Sequence, residues 1–546
     1  MTALQPTLIS DRVRSIPTGI IVAAALAVLV AILWLPFGLN VGFTGDDWIL
    51  FQQVDEGDAM SHTSATRLFT PVPFILAYNL NPGHFSAINL FLALLLVAKG
   101  YLCYAILRRL HAATPLAFAA AVLSILMPAD TGIFYLGAMT IQFALVCYLL
   151  ALYLLLVAWE RGWMLALLGM GFVQLGCVGI YESVYPLIVF TPLVLLLVRR
   201  GTRRRLIRYA LLWYAVPFLY ALWYAFIVLS FPRALQYQGS LIESPTVAAI
   251  ITSLFNIYGR HFVGGWLDSA GVSPAEHLLL GALAGVIAFA VCGALLRRAR
   301  FDSEPRLTLK LAVGGLAVIG LGVALYLPTS LRDETLRTFY FSSVGAAVAL
   351  AAVLWWGARR PLIFAALVGV FAGVGMLRLL DQHRSYYDES ERQQAALTEL
   401  ARALPSPEPG SGIVVVDETP DGALANLIHG PHYLEYMLPT LYDDCSLEAE
   451  LCLPGEFGSD EAARCRFNDT GLVIESWRTF QFDQPYDQLI FVRYDGSCSV
   501  IDDLAPYVGR SIPAYQPEAR YQPGGIPPAR IADLFGSDLT TSASSP

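Results

Sequence analysis

Long apolar runs separated by short polar segments occupy the first 380 residues of the chain. A helix needs about 20 apolar residues to cross a bilayer, and the runs predict eleven transmembrane helices. The expected spans are 17–38, 86–107, 115–128, 138–158, 163–180, a sixth that ends before Arg199, 209–231, an eighth that ends before Arg297, 309–327, a tenth that ends at Trp356, and 361–379.

The pattern changes after residue 380. Residues 390–404 have the composition of a helix, and 412–416 form an apolar run typical of a buried strand, with a second such run at 488–493. The sequence therefore predicts a membrane domain, 1–380, followed by a small α/β or α+β domain, 381–546. The proline-rich segment 513–528 and the Ser/Thr-rich end of the second domain are expected to be extended or disordered.

Composition supports the membrane assignment. The chain has 546 residues, of which 56% are hydrophobic and 14% charged, with a mean hydropathy of +0.57. These values are typical of a polytopic membrane protein and exclude an ordinary soluble enzyme. The C-terminal domain carries 27 acidic residues against 10 arginines, so nucleic acid is not an expected partner.

Arginines predict the orientation in the membrane. Arg12 and Arg14 precede the first span, and further arginines recur at every second span end, most densely at 203–208. Because basic residues favour the cytoplasmic side, we expect a cytoplasmic N-terminus in an inner or plasma membrane. The loop with Asp46 and Asp47 and the C-terminal domain then lie on the periplasmic or extracellular side.

The eight cysteines fall into two groups. Four lie in apolar runs, where cysteine is usually a small core residue. The other four, Cys445, Cys452, Cys465 and Cys498, lie in the polar C-terminal domain. Their spacing lacks the close pairs of zinc sites, and their even number is compatible with two disulfides in an oxidising compartment.

Two adjacent carboxylates, Asp46 and Asp47, follow the first apolar run and precede Trp48. Ionised groups at a membrane boundary are costly unless they face water, a cation or a proton to be taken. The pair is therefore a candidate site for catalysis or ligand binding. Acidic and tryptophan residues also occur as plain interfacial loop residues.

Several motifs occur in a fixed order on the same predicted side. They are Asp46-Asp47-Trp48, Arg67-Leu68-Phe69-Thr70-Pro71, Asn81-Pro82-Gly83-His84-Phe85 with Asn89, Met127-Pro128, Tyr181-Glu182 and Arg337-Thr338-Phe339-Tyr340. This order resembles the GT-C superfamily of integral-membrane glycosyltransferases, including protein O-mannosyltransferases and aminoarabinose transferases. The resemblance covers about the first 380 residues. Relatives often show Arg-Pro where this chain has Arg-Leu-Phe-Thr-Pro, and Lys-Glu where it has Tyr-Glu, so the subfamily stays open.

The resemblance implies a hexosyl- or pentosyltransferase that uses a polyprenyl-phosphate sugar and a glycan, lipid or protein acceptor. Asp46 or Asp47 would be the catalytic base. The other carboxylate would hold the acceptor or a divalent cation, Mg²⁺ or Mn²⁺, with Asp47 as the candidate metal ligand. Stabilising the departing phosphate requires fixed cations, and Arg337, Arg332 and Arg260 are the external candidates. Arg67, Glu182 and Tyr340 are further candidate substrate-binding residues.

Each of these roles has an alternative. Arginines at span ends also reach towards lipid headgroups, and Glu182 could cap a turn or pair with an arginine. At the level of the whole protein, a transporter or flippase of a lipid-linked glycan would also place charged residues beside a cavity. A non-catalytic assembly protein, with its function in the C-terminal domain, is the third possibility.

Overall fold

The computed structural model describes residues 17–42, 45–61, 66–196, 202–231, 241–270, 275–298, 305–333, 335–358, 360–458, 463–475, 481–523 and 528–535. Helices dominate up to residue 403. They are α1 (Thr18–Trp34), α2 (Asp46–Asp55), α3 (Val72–Tyr78), α4 (Phe85–Arg109), α5 (Thr114–Ile125), α6 (Met139–Arg161), α7 (Met164–Ile180), α8 (Tyr185–Phe190), α9 (Arg203–Ser230), α10 (Val247–Gly259), α11 (Gly265–Ala270), α12 (Ala275–Arg298), α13 (Pro305–Val323), α14 (Thr335–Gly357) and α15 (Pro361–Ala403).

Seven helices in the described ranges are long and apolar enough to cross a membrane. They correspond to α4, α6, α9, α12, α13, α14 and α15. Four shorter apolar segments, Thr18–Trp34, Thr114–Ile125, Met164–Ile180 and Glu182–Leu196, overlap the remaining predicted spans. The expected architecture, a polytopic helical part followed by a C-terminal domain with strands, is confirmed.

Two details of the helical prediction were wrong. The span 361–379 and the helix 390–404 are one continuous helix of 43 residues, α15, because the polar stretch between them contains no proline or glycine to interrupt it. The third span is also shorter than expected: α5 ends at Ile125, just before Met127-Pro128, where proline disfavours helical backbone at the preceding residue.

The contacts divide the chain into two compact units. The first unit contains Met1–Pro36, Ala93–Gly132 and Ile141–Asp381. The second unit contains Phe37–Leu92, Ile133–Thr140 and Gln382–Pro546.

Glycines allow close helix packing in the first unit. A Cβ atom on Gly315 of α13 would lie 2.5 Å from the Gly345 carbonyl oxygen of α14, and a Cβ on Gly345 would lie 2.6 Å from the Gly315 carbonyl oxygen. Only residues without a side chain tolerate this distance. Small residues at helix contacts are the usual means of bringing membrane helices together.

The second unit contains two four-stranded sheets in its C-terminal part. The strands are β1 (Gly412–Asp417), β2 (Glu448–Cys452), β3 (Phe457–Gly458), β4 (Cys465–Phe467), β5 (Gly471–Glu475), β6 (Gln481–Pro485), β7 (Leu489–Tyr494) and β8 (Cys498–Val500). One sheet has the order β2-β1-β7-β8, with β1 parallel to both neighbours. The other has the order β3-β4-β5-β6. The two sheets share one hydrophobic core, in which Val414, Phe467, Ile474 and Phe491 are buried.

One of the two expected disulfides is present. Cys452 at the end of β2 is bonded to Cys465 at the start of β4, with 6.5 Å between their Cα atoms, so the bond connects the two sheets within the shared core. Cys445 and Cys498 are free thiols. The expectation of a second disulfide was therefore wrong.

A buried carboxyl group lies beside this disulfide. Glu450 of β2 has no solvent exposure, and its Oε2 accepts a hydrogen bond from Arg464 at 3.0 Å. The same arginine also donates to Glu456 at 2.9 Å. Burial raises the pKa of Glu450 to about 7, because desolvation outweighs the opposing charge of Arg464 and nearby Glu435 adds to the increase.

We expect Gly315→Ala to lower the melting temperature of the purified protein, because the added methyl group meets backbone that cannot rotate away. The cost of such overpacking is about 1–3 kcal/mol. Gly314→Ala is the matched control, since a Cβ there has no atom within 4 Å and both changes alter helix propensity equally. Equal melting temperatures for the two variants would contradict the packing argument.

Glu450 should make the stability of the second unit depend on pH. The pKa of Glu450 is higher in the folded chain than the ordinary value of 4.5, so the folded chain holds this proton more tightly than the unfolded chain does. The free energy of unfolding is therefore highest below about pH 4.5 and falls as the pH rises through 7. In the wild type this fall in the free energy of unfolding should reach about 3 kcal/mol, and Glu450→Gln should abolish it. Thermal unfolding at a series of pH values measures both. Glu456→Gln removes the other carboxyl partner of Arg464 and should keep the wild-type dependence of unfolding free energy on pH. The same dependence in Glu450→Gln would show that Glu450 is not its cause.

Candidate functional site

Asp47 lies in the first turn of α2 in the second unit and is 1% exposed. Asp46 begins the same helix, but its side chain lies outside the described residues, as do Phe43 and Thr44. The chain enters α2 through Gly45, whose φ of +52° is a conformation that side chains disfavour. The sharp entry places the Asp47 carboxylate inside the protein within the first turn of the helix.

Polar side chains of α15 hold the start of α2. The indole N–H of Trp48 donates to Oε1 of Gln393 at 3.2 Å, and the Trp48 ring packs edge-on against Phe85 with 5.9 Å between ring centroids. The backbone N–H of Gly42 donates to Oγ of Ser390 at 2.6 Å. Since Trp48 directly follows Asp47, these contacts also fix the position of the carboxylate.

The other end of α2 is held by charge. Asp55 accepts a hydrogen bond from the Tyr78 hydroxyl of α3 and pairs with Arg530 of the C-terminal helix Ala529–Phe535. Arg530 also pairs with Asp443 at 2.6 Å. Side-chain contacts therefore fix α2 at both ends, which is the rigidity that a catalytic group requires.

The position of the Asp47 carboxylate requires a glycine beside it. A Cβ on Gly137 would lie 2.7 Å from Oδ1 of Asp47, closer than a carboxylate and a methyl group can approach. Tyr386 is close enough for the charge of Asp47 to act on it. Arg67, the other predicted site residue of this unit, is half-buried in a turn before α3, and its carbonyl accepts a hydrogen bond from the Thr70 hydroxyl at 3.1 Å.

In the first unit, the Tyr181-Glu182 motif contacts the residue that follows the Arg337–Tyr340 motif. The Tyr181 ring stacks on Phe341, with 6.5 Å between centroids, so the Tyr181-Glu182 motif contacts the segment that follows Arg337. The Tyr326 hydroxyl donates to the Tyr181 hydroxyl at 3.1 Å, and the charge of Glu182 reaches Tyr326. Glu182 itself is half-buried at the start of a 3₁₀ turn, Glu182–Val184.

Tyr340 is buried and hydrogen-bonded within the first unit. Its hydroxyl accepts from the Gln142 amide at 2.8 Å and donates to the Gly132 carbonyl. These bonds connect α14 to the start of α6 and to the loop after Met127-Pro128. In this arrangement Tyr340 fixes the position of neighbouring segments.

The predicted phosphate-binding arginines differ in their surroundings. Arg260 opens a π-helical turn, Arg260–Gly264, and pairs with Asp268 at 3.0 Å. Arg332 pairs with Glu243 at 2.5 Å. Arg337 lies in the first turn of α14, and its side chain is outside the described residues.

Sequence reasoning missed a buried ion pair. Lys99 of α4 binds Asp130 at 2.8 Å, and the two side chains are 5% and 3% exposed. Within the described part of the chain, Oδ1 of Asp130 has no hydrogen-bond partner. The signal was present, because a lysine inside an apolar run is costly and usually functional or paired.

His261 belongs to the same buried region. It is fully buried, and its Nε2 is hydrogen-bonded to Oγ of Ser342 at 2.9 Å. Burial lowers the pKa of His261 to about 3, and the charge of Lys99 adds to the decrease. The imidazole is therefore neutral at physiological pH and acts as a hydrogen-bonding residue.

Asp47 belongs to no set of metal ligands among the described side chains, which do not include that of Asp46. Among the residues that the structure describes, no group of three or more His, Cys, Asp or Glu side chains could hold a metal ion. A protein site for Mg²⁺ or Mn²⁺ needs several oxygen ligands about a common point. The divalent cation stays a prediction.

Removing one partner of the Lys99–Asp130 pair should be more harmful than removing both. Lys99→Met leaves a buried carboxylate without its cation, which costs about 3–5 kcal/mol. Lys99→Met with Asp130→Asn removes both charges and should recover much of the lost melting temperature. Equal destabilisation by the single and the double change would show that the pair does not interact.

No protein-family model and no curated protein matches this chain. Two crystal structures of ArnT from Cupriavidus metallidurans are similar to it, one bound to undecaprenyl phosphate and one in the apo state. The match to the bound structure has 16% sequence identity and covers 76% of this chain and 85% of the ArnT chain. The match to the apo structure has 18% sequence identity and covers 75% of this chain and 84% of the ArnT chain. The TM-score is 0.36 for both matches. No residue role follows from a similarity at this level.

Proposed function

We propose that this protein is a membrane glycosyltransferase that moves a sugar from a polyprenyl monophosphate to a hydroxyl group of a glycan, lipid or protein. The observation that carries the proposal is the buried carboxylate of Asp47, held in place by the contacts of α2 and adjoined by Gly137. A carboxylate that served only as an interfacial loop residue would lie exposed to water.

The proposed reaction needs a base, a fixed acceptor and a stabilised leaving group. Asp47 takes the proton of the acceptor hydroxyl while the hydroxyl oxygen of the acceptor bonds to the anomeric carbon of the sugar. The bond from that carbon to the phosphate oxygen breaks, and the polyprenyl phosphate leaves with the electron pair. General-base catalysis of this kind contributes roughly 10²–10⁴-fold, and correct positioning supplies a further large factor.

The leaving phosphate requires cations. Arg337 is proposed to bind it, as its place in the motif order implies. Among the described side chains, Arg260 and Arg332 each pair with a carboxylate. A paired arginine must exchange its carboxylate for the phosphate, which costs part of the interaction energy. Arg67 and Glu182 are proposed to bind polar groups of the substrates, and Tyr340 to position the segments that line the site.

The donor class follows from the resemblance of the sequence. Undecaprenyl phosphate, bound in one of the similar ArnT structures, is the lipid carrier to test first. The disulfide between Cys452 and Cys465 supports an oxidising compartment for the C-terminal domain. We therefore propose that the reaction takes place on the periplasmic or extracellular face of the membrane.

A lipid-linked glycan transporter is the second candidate, and the Lys99–Asp130 pair favours it. Ionisable residues buried in helical membrane proteins often belong to substrate or proton pathways. A transporter moves the intact lipid-linked sugar and releases no polyprenyl phosphate. Product analysis therefore separates the two functions.

Asp47→Asn should reduce transfer by at least about 10²-fold, because the amide cannot take the acceptor proton. The measurement is release of polyprenyl phosphate by purified protein from undecaprenyl-phosphate sugars in the presence of cell-envelope acceptors. Asp58→Asn is the matched control, since it removes the same charge from an exposed position on the same segment. It should keep wild-type activity.

Full activity in Asp47→Asn would overturn the assignment of the base. Translocation of the intact donor across vesicles, with no phosphate release by the wild type, would favour the transporter. Addition of EDTA tests the predicted divalent cation in the same assay.

A further inference from the structure

A basic cavity lies at the end of the first unit where α4 and α6 finish and α9 begins. Its volume is about 640 Å³, and its lining includes Arg108, Arg109, Tyr153, Trp159, Glu160 and Arg205. It lies near the opposite end of α6 from Gln142, about 27 Å away at 1.5 Å per residue. It is therefore separate from the contacts around Tyr340.

Aromatic rings hold the arginines of this cavity in place. The Arg109 guanidinium lies 4.7 Å from the centroid of the Tyr153 ring and donates to the Tyr153 hydroxyl at 3.0 Å. The Arg205 guanidinium lies 4.8 Å from the centroid of the Trp159 ring and donates to the Trp159 carbonyl. A guanidinium stacked on a ring keeps part of its hydrogen-bonding edge available, in a fixed orientation.

The cavity has an excess of positive charge. Arg108, Arg109 and Arg205 face one carboxylate, Glu160, which pairs with Arg109. The neighbouring arginines of α9 contrast with Arg205: Arg203, Arg204 and Arg208 are exposed, whereas Arg205 is half-buried. The exposed residues are sufficient to orient the helix in the membrane, so the inward position of Arg205 needs another explanation.

Size and position identify the class of ligand. The cavity has the volume of roughly twenty water molecules, at about 30 Å³ each, which is more than a single phosphate ion fills. Three helices that are long enough to cross a membrane end or begin at its lining, and lipid headgroups lie at the ends of such helices. Arginine forks match phosphate oxygens in pairs.

We propose that this cavity binds the phosphate-bearing headgroup of an anionic phospholipid. Arg205 and Arg108 bind the phosphate oxygens, while Arg109 is held by Glu160 and Tyr153. The site makes the stability of the first unit depend on the lipid composition of the membrane, independently of any transfer reaction.

The test uses the full-length protein in lipid nanodiscs and detergent. Binding of phosphatidylglycerol is compared with that of phosphatidylcholine by native mass spectrometry and by the rise in melting temperature. Glycerol phosphate and inorganic phosphate, added at equal phosphate concentration, distinguish a lipid headgroup from a soluble phosphate ester. We expect phosphatidylglycerol to bind and stabilise the wild type, and neither soluble phosphate to do so.

Arg205→Gln should weaken phosphatidylglycerol binding about tenfold, the loss expected for a charge-assisted hydrogen-bond partner. Arg204→Gln removes the same charge from the exposed neighbouring position and should weaken binding by less than about threefold, since exposed charges are screened. Arg205→Lys keeps the charge without the planar fork and should give an intermediate value, which provides a folded variant if the glutamine is unstable. Equal effects at residues 204 and 205, equal binding of phosphatidylcholine, or equal stabilisation by glycerol phosphate would each overturn the proposal.

Discussion

The burial of one carboxylate constrains the second unit of this protein. Asp47 can remain away from water only if the start of α2 is fixed, and the fixing groups are Trp48 with Gln393 and Gly42 with Ser390. A buried polar group that loses its hydrogen-bond partner destabilises the fold by about 1–3 kcal/mol. Loss of either contact would therefore weaken the attachment of α2. The position of α2 therefore depends on α15, which lies more than 340 residues later in the sequence.

The first unit uses a different principle. Its apolar helices gain little from leaving lipid for one another, so close approach must come from shape. Gly315 and Gly345 allow α13 and α14 to touch through their backbones. Buried polar groups of this unit, such as Lys99 with Asp130 and His261 with Ser342, carry a desolvation cost among the apolar helices.

Some of this could be predicted from the sequence. Hydrophobic runs indicated the helices, because a span must be long and apolar, and β1 and β7 were recognisable because buried parallel strands give continuous apolar runs. The strand β2 was missed because its alternation contains Glu450, a charge in the core that only the contact with Arg464 explains. The position of Asp47 after the first span identified it as a candidate, but nothing local in the sequence indicates Ser390 or Gln393 as its supports. Such partners are set by tertiary contacts, which hydrophobic periodicity does not encode.

The ion pair between Asp55 and Arg530 has a consequence for biosynthesis. The two residues are 475 positions apart, and ribosomes add about 5–20 residues per second. Roughly half a minute or more thus separates the synthesis of the two partners. Throughout that interval α2 lacks the clamp at its far end, so the carboxylate site is completed only after nearly every helix has been made. A ribosome that stops early would leave a membrane-inserted protein with its candidate site unassembled.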